Sequence, residues 1–184
     1  MHNPKLADQQ KTSMNHSQVI NASNFLRVTE VDHADLFISE LFQRKFHSQP
    51  PDFQRHFVAF YKPESDSAQV IPAGYVHQTP YLGCYLCGGL VIDDRVYRNM
   101  TREQRQLIRE AGGIAELLLR YSFSKLDNTK AIWGYVGDKK AEKVDLRVGF
   151  VHTDVKPIMV CWKQALSEQE KHQLLEQIIA VGPF

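Results

Sequence analysis

The chain has 184 residues, of which 43% are hydrophobic, 23% charged and 10% aromatic, and its formal charge is +1. That length suits one domain with a sizeable core and is short for two, and the near-neutral balance excludes a nucleic-acid coat or a polybasic membrane module. The opening residues lack the apolar core of a secretory signal and no apolar stretch of about 18 residues occurs, so the expected compartment is the cytoplasm, with no membrane partner.

Residues 1–22 are polar and read as a mobile tail, leaving 23–184 as one domain. FLRVTEV (25–31) predicts a strand, and the run after it carries Leu36, Phe37, Leu41 and Phe42 as the apolar face of a helix. HFVAFY (56–61) is apolar at nearly every position, as in a strand covered on both sides. KPESDS then predicts a turn into an antiparallel pair, VIPAGYVHQ and, after Pro80, YLGCYLCGGLVID (81–93). Thr101 and Gln104 form a capping box, so a helix begins at Arg102, with Arg102, Arg105 and Arg109 on one face and Leu107, Ile108 and Ala111 on the other. After Gly112 and Gly113, the spacing of Ile114, Leu117, Leu118 and Tyr121 predicts a second helix to about residue 126. A strand over 131–136, a helical stretch from Lys139, strands around FVHTD and KPIMVCWK, and a last helix opened by the Ser167–Glu170 capping box complete a mixed α/β pattern.

Two adjacent glycines before a helix have two readings. They end one helix in a left-handed cap and let the next start close by, or they bare backbone N–H groups as an anion site. EAGGIA (110–115) resembles the [Gln/Arg]-x-x-Gly-x-[Gly/Ala] signature of the GNAT acetyltransferase superfamily, with Gly113 and Ala115 matching and Glu110 in place of Gln or Arg. DKKAEKVDLRVGF (138–150) resembles the same superfamily's Asn-x-x-Ala-x-x-x-Tyr-x-x-x-Gly-Phe stretch, matching at Ala141, Gly149 and Phe150, with Asp138 for Asn.

The resemblance implies a mixed, mostly antiparallel sheet with helices on both faces, opening as a V between its fourth strand (82–92) and its fifth (131–136). It implies acetyl-CoA or another acyl-CoA as co-substrate of an N-acetyltransferase, with no metal. Pantetheine would pair with the backbone of Leu90, Val91 and Ile92, and the diphosphate would lie on the amides of Gly112, Gly113, Ile114 and Ala115, with Arg109 and Asp138 nearby. The acceptor would be a small-molecule or protein amine. Acyl-carrier protein is an alternative donor, a homodimer a candidate assembly, and a non-catalytic acyl-CoA-binding module the remaining alternative.

Two features depart from the family. Asp145 stands where the usual general-acid tyrosine is expected, and among Lys143 and Arg147 it reads as a solvent-facing residue. Tyr135 is the substitute proton donor, with His77 and Asp93 as candidates for a general base. The interval from Ile92 to Gly113 is 21 positions, longer than the usual loop, and the surplus is the arginine-faced helix. Cys84 and Cys87 form C-x-x-C, but residues three apart on a strand point to opposite faces, which disfavours a shared metal or disulfide.

Overall fold

The computed structural model describes residues 21–52, 55–63 and 68–184. Residues 1–20 of the expected tail and 64–67 of the expected turn lie outside them. In chain order the elements are β1 (Leu26–Val31), α1 (Asp35–Phe46), β2 (Arg55–Tyr61), β3 (Ile71–Tyr81), β4 (Cys84–Ile92), α2 (Val96–Asn99), α3 (Arg102–Glu110) and α4 (Ile114–Phe123). Then come β5 (Ala131–Tyr135), α5 (Lys139–Arg147), β6 (Val151–His152), β7 (Ile158–Trp162) and α6 (Glu168–Val181).

The strands form one sheet in the order β1-β2-β3-β4-β5-β7-β6. Only β4 and β5 run parallel, because only that pair is joined by a crossover, through α2, α3 and α4. Period-two alternation sends Phe57, Ala59, Ile132, Met159 and Cys161 toward α3 and α4, where they pack with Ile108, Ile114 and Leu118. Alternate residues face the other way: Val58, Tyr75 and Val91 cover Ile38, Leu41 and Phe42 of α1. On that same face Leu86, Trp133 and Val160 cover Leu174 and Ile178 of α6. The sheet is therefore sandwiched, with α1 and α6 on one side and α3 and α4 on the other. Among the described residues no helix is long and apolar enough to cross a membrane.

Several boundaries differ from the sequence expectation. The buried face of α1 is Ile38, Leu41 and Phe42, a single i, i+3, i+4 stripe, whereas Leu36 turns outward and is 74% exposed. β3 does not stop before Pro80 but runs through it to Tyr81. Proline is tolerated there because pairing with β2 ends at Gln78, leaving one side of the strand free of ladder bonds. The short helix α2 carries no periodicity long enough to be read from sequence.

Candidate active site

The β4–β5 ladder is brief. Tyr85, Leu86 and Cys87 pair with Ile132, Trp133 and Gly134, after which β4 continues through Gly88–Ile92 with β3 as its only strand partner. The cause lies in β4 itself. His77 pairs with Gly88 but Tyr75 pairs with Val91, so Gly89 and Leu90 of β4 oppose the single Val76 of β3, and Gly89 takes φ +63°. A bulge adds local twist and bends its strand, here directly after the last contact with β5. The two strands therefore part, and Leu90, Val91 and Ile92 keep a backbone edge that β5 does not cover, at the V expected from sequence.

On the α1 and α6 face, the imidazole of His77 lies across the glycine pair. A Cβ on Gly88 would sit 2.7 Å from its Nε2, and one on Gly89 2.7 Å from its Nδ1, so side chains there would expel the ring. Behind it, the Tyr75 hydroxyl is 2.7 Å from His56 Nδ1 and 3.4 Å from His77 Nδ1. Among the described residues nothing bonds His77 Nε2. Burial, followed by the neighbouring His56, pushes the His77 pKa down to about 4, and burial lowers that of His56 as well. Phe184 touches Gly88 and stacks edge-on against Tyr135, at 6.1 Å between ring centroids.

The α4 and α5 face of the same segment is different. Gln78, next along β3, points here and donates to Ser122 Oγ at 3.1 Å and to Cys87 Sγ at 3.3 Å, while its buried Oε1 has no partner. Asp145 corrects the sequence expectation of a solvent-facing residue: it is 6% exposed, because α5 turns it inward toward the sheet. Burial, and then the charge of Asp138, raises its pKa to about 7, and Asp145 in turn adds to the rise that burial imposes on the Cys87 thiol. No hydrogen bond reaches the Asp145 carboxyl among the described residues. Cys84 packs with the α6 cluster and Cys87 with the α4 cluster, so the C-x-x-C pair is split across the sheet.

The helix-ending reading of the glycine pair is visible at the start of α4. Gly112, at φ +88°, donates to Arg109 O at 3.0 Å, and Gly113 donates to Ile108 O at 2.8 Å, a Schellman closure of α3. Those two amides are thereby taken, which moves the open donors two residues on from the sequence expectation. The Ile114 N–H lies near the Tyr97 hydroxyl and tempers the rise that burial imposes on it, and Ala115 and Glu116 follow as the next unpaired N–H groups of the first turn. Glu116 folds back beneath Gly112, where a Cβ would collide with its carboxylate. Arg147 bonds that carboxylate at 2.7 Å and Arg120 at 2.7 Å, and Arg147, before Arg120, holds the Glu116 pKa below the usual range. Arg109, Glu110, Ala111, Gly112, Glu116 and Arg147 line an open cleft of about 550 Å³.

The other sequence candidates scatter. Asp93 directly follows β4, its Oδ2 paired with Arg44 at 3.0 Å and its Oδ1 accepting from Arg95 N at 3.1 Å. Tyr135 closes β5, 37% exposed, on the His77 face and not the Asp145 face. Asp138 caps α5, accepting from Lys140 N at 2.6 Å and Ala141 N at 3.4 Å. Arg109 lies at the cleft, bonded to Gln106 at 2.6 Å. Gly88, Gly89, Tyr75 and Gln78 were missed by sequence reasoning; a glycine pair inside an apolar strand is itself the signal of a bulge. A separate pocket of about 500 Å³ lined by His152, Trp162, Lys171 and His172 includes no residue of β4 or α4, so it lies apart from this chemistry.

No family model matches the chain, and no curated protein matches it in sequence. Among solved structures it is similar to the ribosomal-protein-S18-alanine N-acetyltransferase of Escherichia coli, with TM-score 0.53 and 12% identity over 78% of this chain and 97% of that one. A looser likeness, with TM-score 0.48 and 13% identity over 78% and 92%, is to a GNAT family acetyltransferase of Brucella melitensis in complex with acetyl-CoA. The fold is that of the GNAT acetyltransferases, as the sequence motifs led us to expect.

Proposed function

We propose that the protein is an acyl-CoA-dependent N-acyltransferase that moves an acetyl group from a thioester to a primary amine. The observation that carries this reading is the uncovered edge of β4 beyond Cys87, flanked by a neutral imidazole on one face of the sheet and a buried carboxyl on the other. Leu90, Val91 and Ile92 offer backbone groups to the pantetheine amides, and the open N–H groups at Ala115 and Glu116, with Arg109 and Arg147 beside them, suit the diphosphate. Glu110 and Glu116 oppose an anion there, and the charge of Glu116 is already shared between two arginines.

In the reaction the neutral amine attacks the thioester carbonyl carbon. The C–N bond forms as the carbonyl electrons move to oxygen, where a β4 N–H stabilises the charge. His77 Nε2 takes the proton that the nitrogen sheds. Collapse then re-forms the carbonyl and breaks the C–S bond, and Asp145 protonates the departing thiolate. The products are an amide and free CoA, with His77 charged and Asp145 ionised until solvent restores both.

A second donor is favoured by one observation. Arg95, Arg98, Arg102, Arg105 and Arg109 are all exposed on the segment between β4 and α4, a surface that suits the acidic helices of an acyl-carrier protein. Calorimetry with acetyl-CoA, followed by a radiolabelled acetyl-transfer assay over a broad amine panel, tests the reading. Micromolar binding is expected, strongly weakened by Ala115→Glu, which sets a carboxylate beside the open amides. Binding indifferent to that change would discard the site. Turnover only with the acylated carrier protein would select the second donor, and tight binding with no acylated amine would leave a regulatory module.

A further inference from the structure

We infer that Tyr75 and His56 are positioning residues that hold His77 in the tautomer whose bare Nε2 lies over Gly88, where β4 leaves β5. The kinetic consequence rests on the acyltransferase reading; the tautomer is a property of the free protein.

Tyr75 and His77 are two apart on β3 and so share a face, and His56 lies directly opposite His77 on β2. The three side chains form one chain of polar contacts with Tyr75 at its centre. A single hydroxyl proton leaves this chain only two polarities, and they differ in what reaches the cleft. If Tyr75 donates to His56, its oxygen offers only lone pairs to His77. Nδ1 of His77 must then carry the ring proton, and Nε2 is bare. If His56 donates to Tyr75, Tyr75 donates to His77 Nδ1 and the proton sits on Nε2, where a neutral ring can accept nothing.

The bond lengths choose between them. A hydroxyl gives its single proton to the nearer of two acceptors, and ring N–H donors tolerate longer contacts. The contrast between 2.7 Å to His56 and 3.4 Å to His77 thus favours Tyr75 donating to His56 and accepting from His77 Nδ1–H. Near-parallel packing of the His56 and Tyr75 rings, 27° between planes, fixes the geometry of the donor pair. At the far end Nε2 lies over Gly88, which has no side chain, where β4 leaves β5 and beside the main-chain carbon of Phe184. Burial keeps both imidazoles neutral at physiological pH, so the polarity is not scrambled by a second ring proton.

The test has two arms. Long-range proton–nitrogen spectra of the full-length protein, with His77 assigned by His77→Gln, are expected to show protonated Nδ1 and bare Nε2 near neutral pH. Tyr75→Phe should shift that ring toward the Nε2–H form. In the transfer assay Tyr75→Phe should lower kcat by about 10- to 100-fold, part of the range general-base catalysis spans, while KM for acetyl-CoA stays within about twofold. His56→Gln, which keeps an acceptor for the Tyr75 proton, should retain most activity, and His56→Leu should match Tyr75→Phe. Protonated Nε2 in the unaltered protein overturns the inference, as does a Tyr75→Phe protein with unchanged tautomer and turnover. The unaltered protein's spectrum decides the matter even where a variant fails to fold. An Nδ1–H tautomer that follows Tyr75, in a protein that acylates nothing, would sustain the positioning role and remove the acyltransferase reading instead.

Discussion

The two faces of the sheet at the splay are built from neighbouring residues and behave in opposite ways. His77 and Gln78 are adjacent on β3, and Cys87 and Gly88 on β4, yet one of each pair looks toward α1 and the other toward α4. On the α1 face the titratable group is a base that burial keeps unprotonated, and on the α4 face it is an acid that burial leaves about half protonated near pH 7. The same physical cause, the penalty on charge in a poorly solvated site, yields a base and an acid because the two groups carry their charge in opposite protonation states. The polar surroundings differ too. The imidazole is contacted by Tyr75, which also bonds His56, whereas the Asp145 carboxyl and Gln78 Oε1 have no hydrogen-bond partners among the described residues. A catalytic cleft is served by that difference: the base must be aimed, and the acid need only hold its proton near the departing sulfur.

The largest effect should come from removing the base. His77→Gln is expected to lower kcat by about 10²- to 10⁴-fold, the usual worth of a positioned proton acceptor, with acetyl-CoA affinity little changed by calorimetry. A loss below about threefold would break the comparison, since the α1 face would then carry no proton transfer.

Stability against pH sharpens the comparison without needing a substrate. His77 has a folded pKa near 4, below the ordinary imidazole value of 6.5, so its contribution is present above pH 6.5 and lost as pH falls toward 4. Asp145 has a folded pKa near 7, above the ordinary 3.8, so its contribution is present below 3.8 and lost as pH rises toward 7. Each shift corresponds to roughly 3–4 kcal/mol as an upper figure. In the unaltered protein the two oppose one another between pH 4 and 6.5 and flatten the profile. Denaturant melts of Asp145→Asn should show stability rising with pH across that window, and melts of His77→Gln should show it falling. Parallel profiles in the two variants would mean that the faces do not differ in sign.

Asp145→Asn should also slow turnover, by about 10- to 100-fold, toward the lower part of the range for general acids. The effect is smaller than at His77 because a thiol pKa of about 8.5 lets the sulfur leave near neutral pH with modest help. The deficit should widen as pH is lowered from 8 to 6, where the carboxyl of the unaltered protein gains its proton. A pH-independent ratio would assign Asp145 a packing role.

Much of the framework was legible because it rests on local rules. The capping boxes at Thr101 and Ser167 and the double glycine before α4 each mark a helix end with chemistry that needs no tertiary information. The site was less legible for the converse reason. Asp145 looks like a surface aspartate beside Lys143 and Arg147, and only the packing of α5 on the sheet turns it inward. Asp93 looks free until Arg44, 49 positions earlier, is folded against it. The alternation of strand residues does separate His77 from Gln78, but what lies on each face depends on helices remote in sequence. The bulge at Gly88 and Gly89, which opens the cleft, is written in the string as a glycine pair within an apolar strand, and its consequence appears only when β5 is known to be the neighbour.

The smallest expected effect belongs to Tyr135, and it tests where the acid lies. Tyr135 is the last residue of β5 and alternates onto the face of Trp133, beside Phe184 and on the same side as His77. The residue is 37% exposed and its hydroxyl has no hydrogen bond among the described residues. A thiolate protonated from that side would need acid and base on one face, leaving Asp145 without a role. With Asp145 as the acid, Tyr135→Phe removes only an exposed hydroxyl and keeps the ring that packs against Phe184. Such surface changes usually fall within about 0.5 kcal/mol, so kcat should stay within about twofold and the melting profile should be unaltered. Pairing it with Asp145→Asn makes the result decisive. If the faces divide the proton work as argued, the double variant matches Asp145→Asn alone. A further tenfold loss in the double variant would put a proton donor on the His77 face and erase the division between the two sides of the sheet.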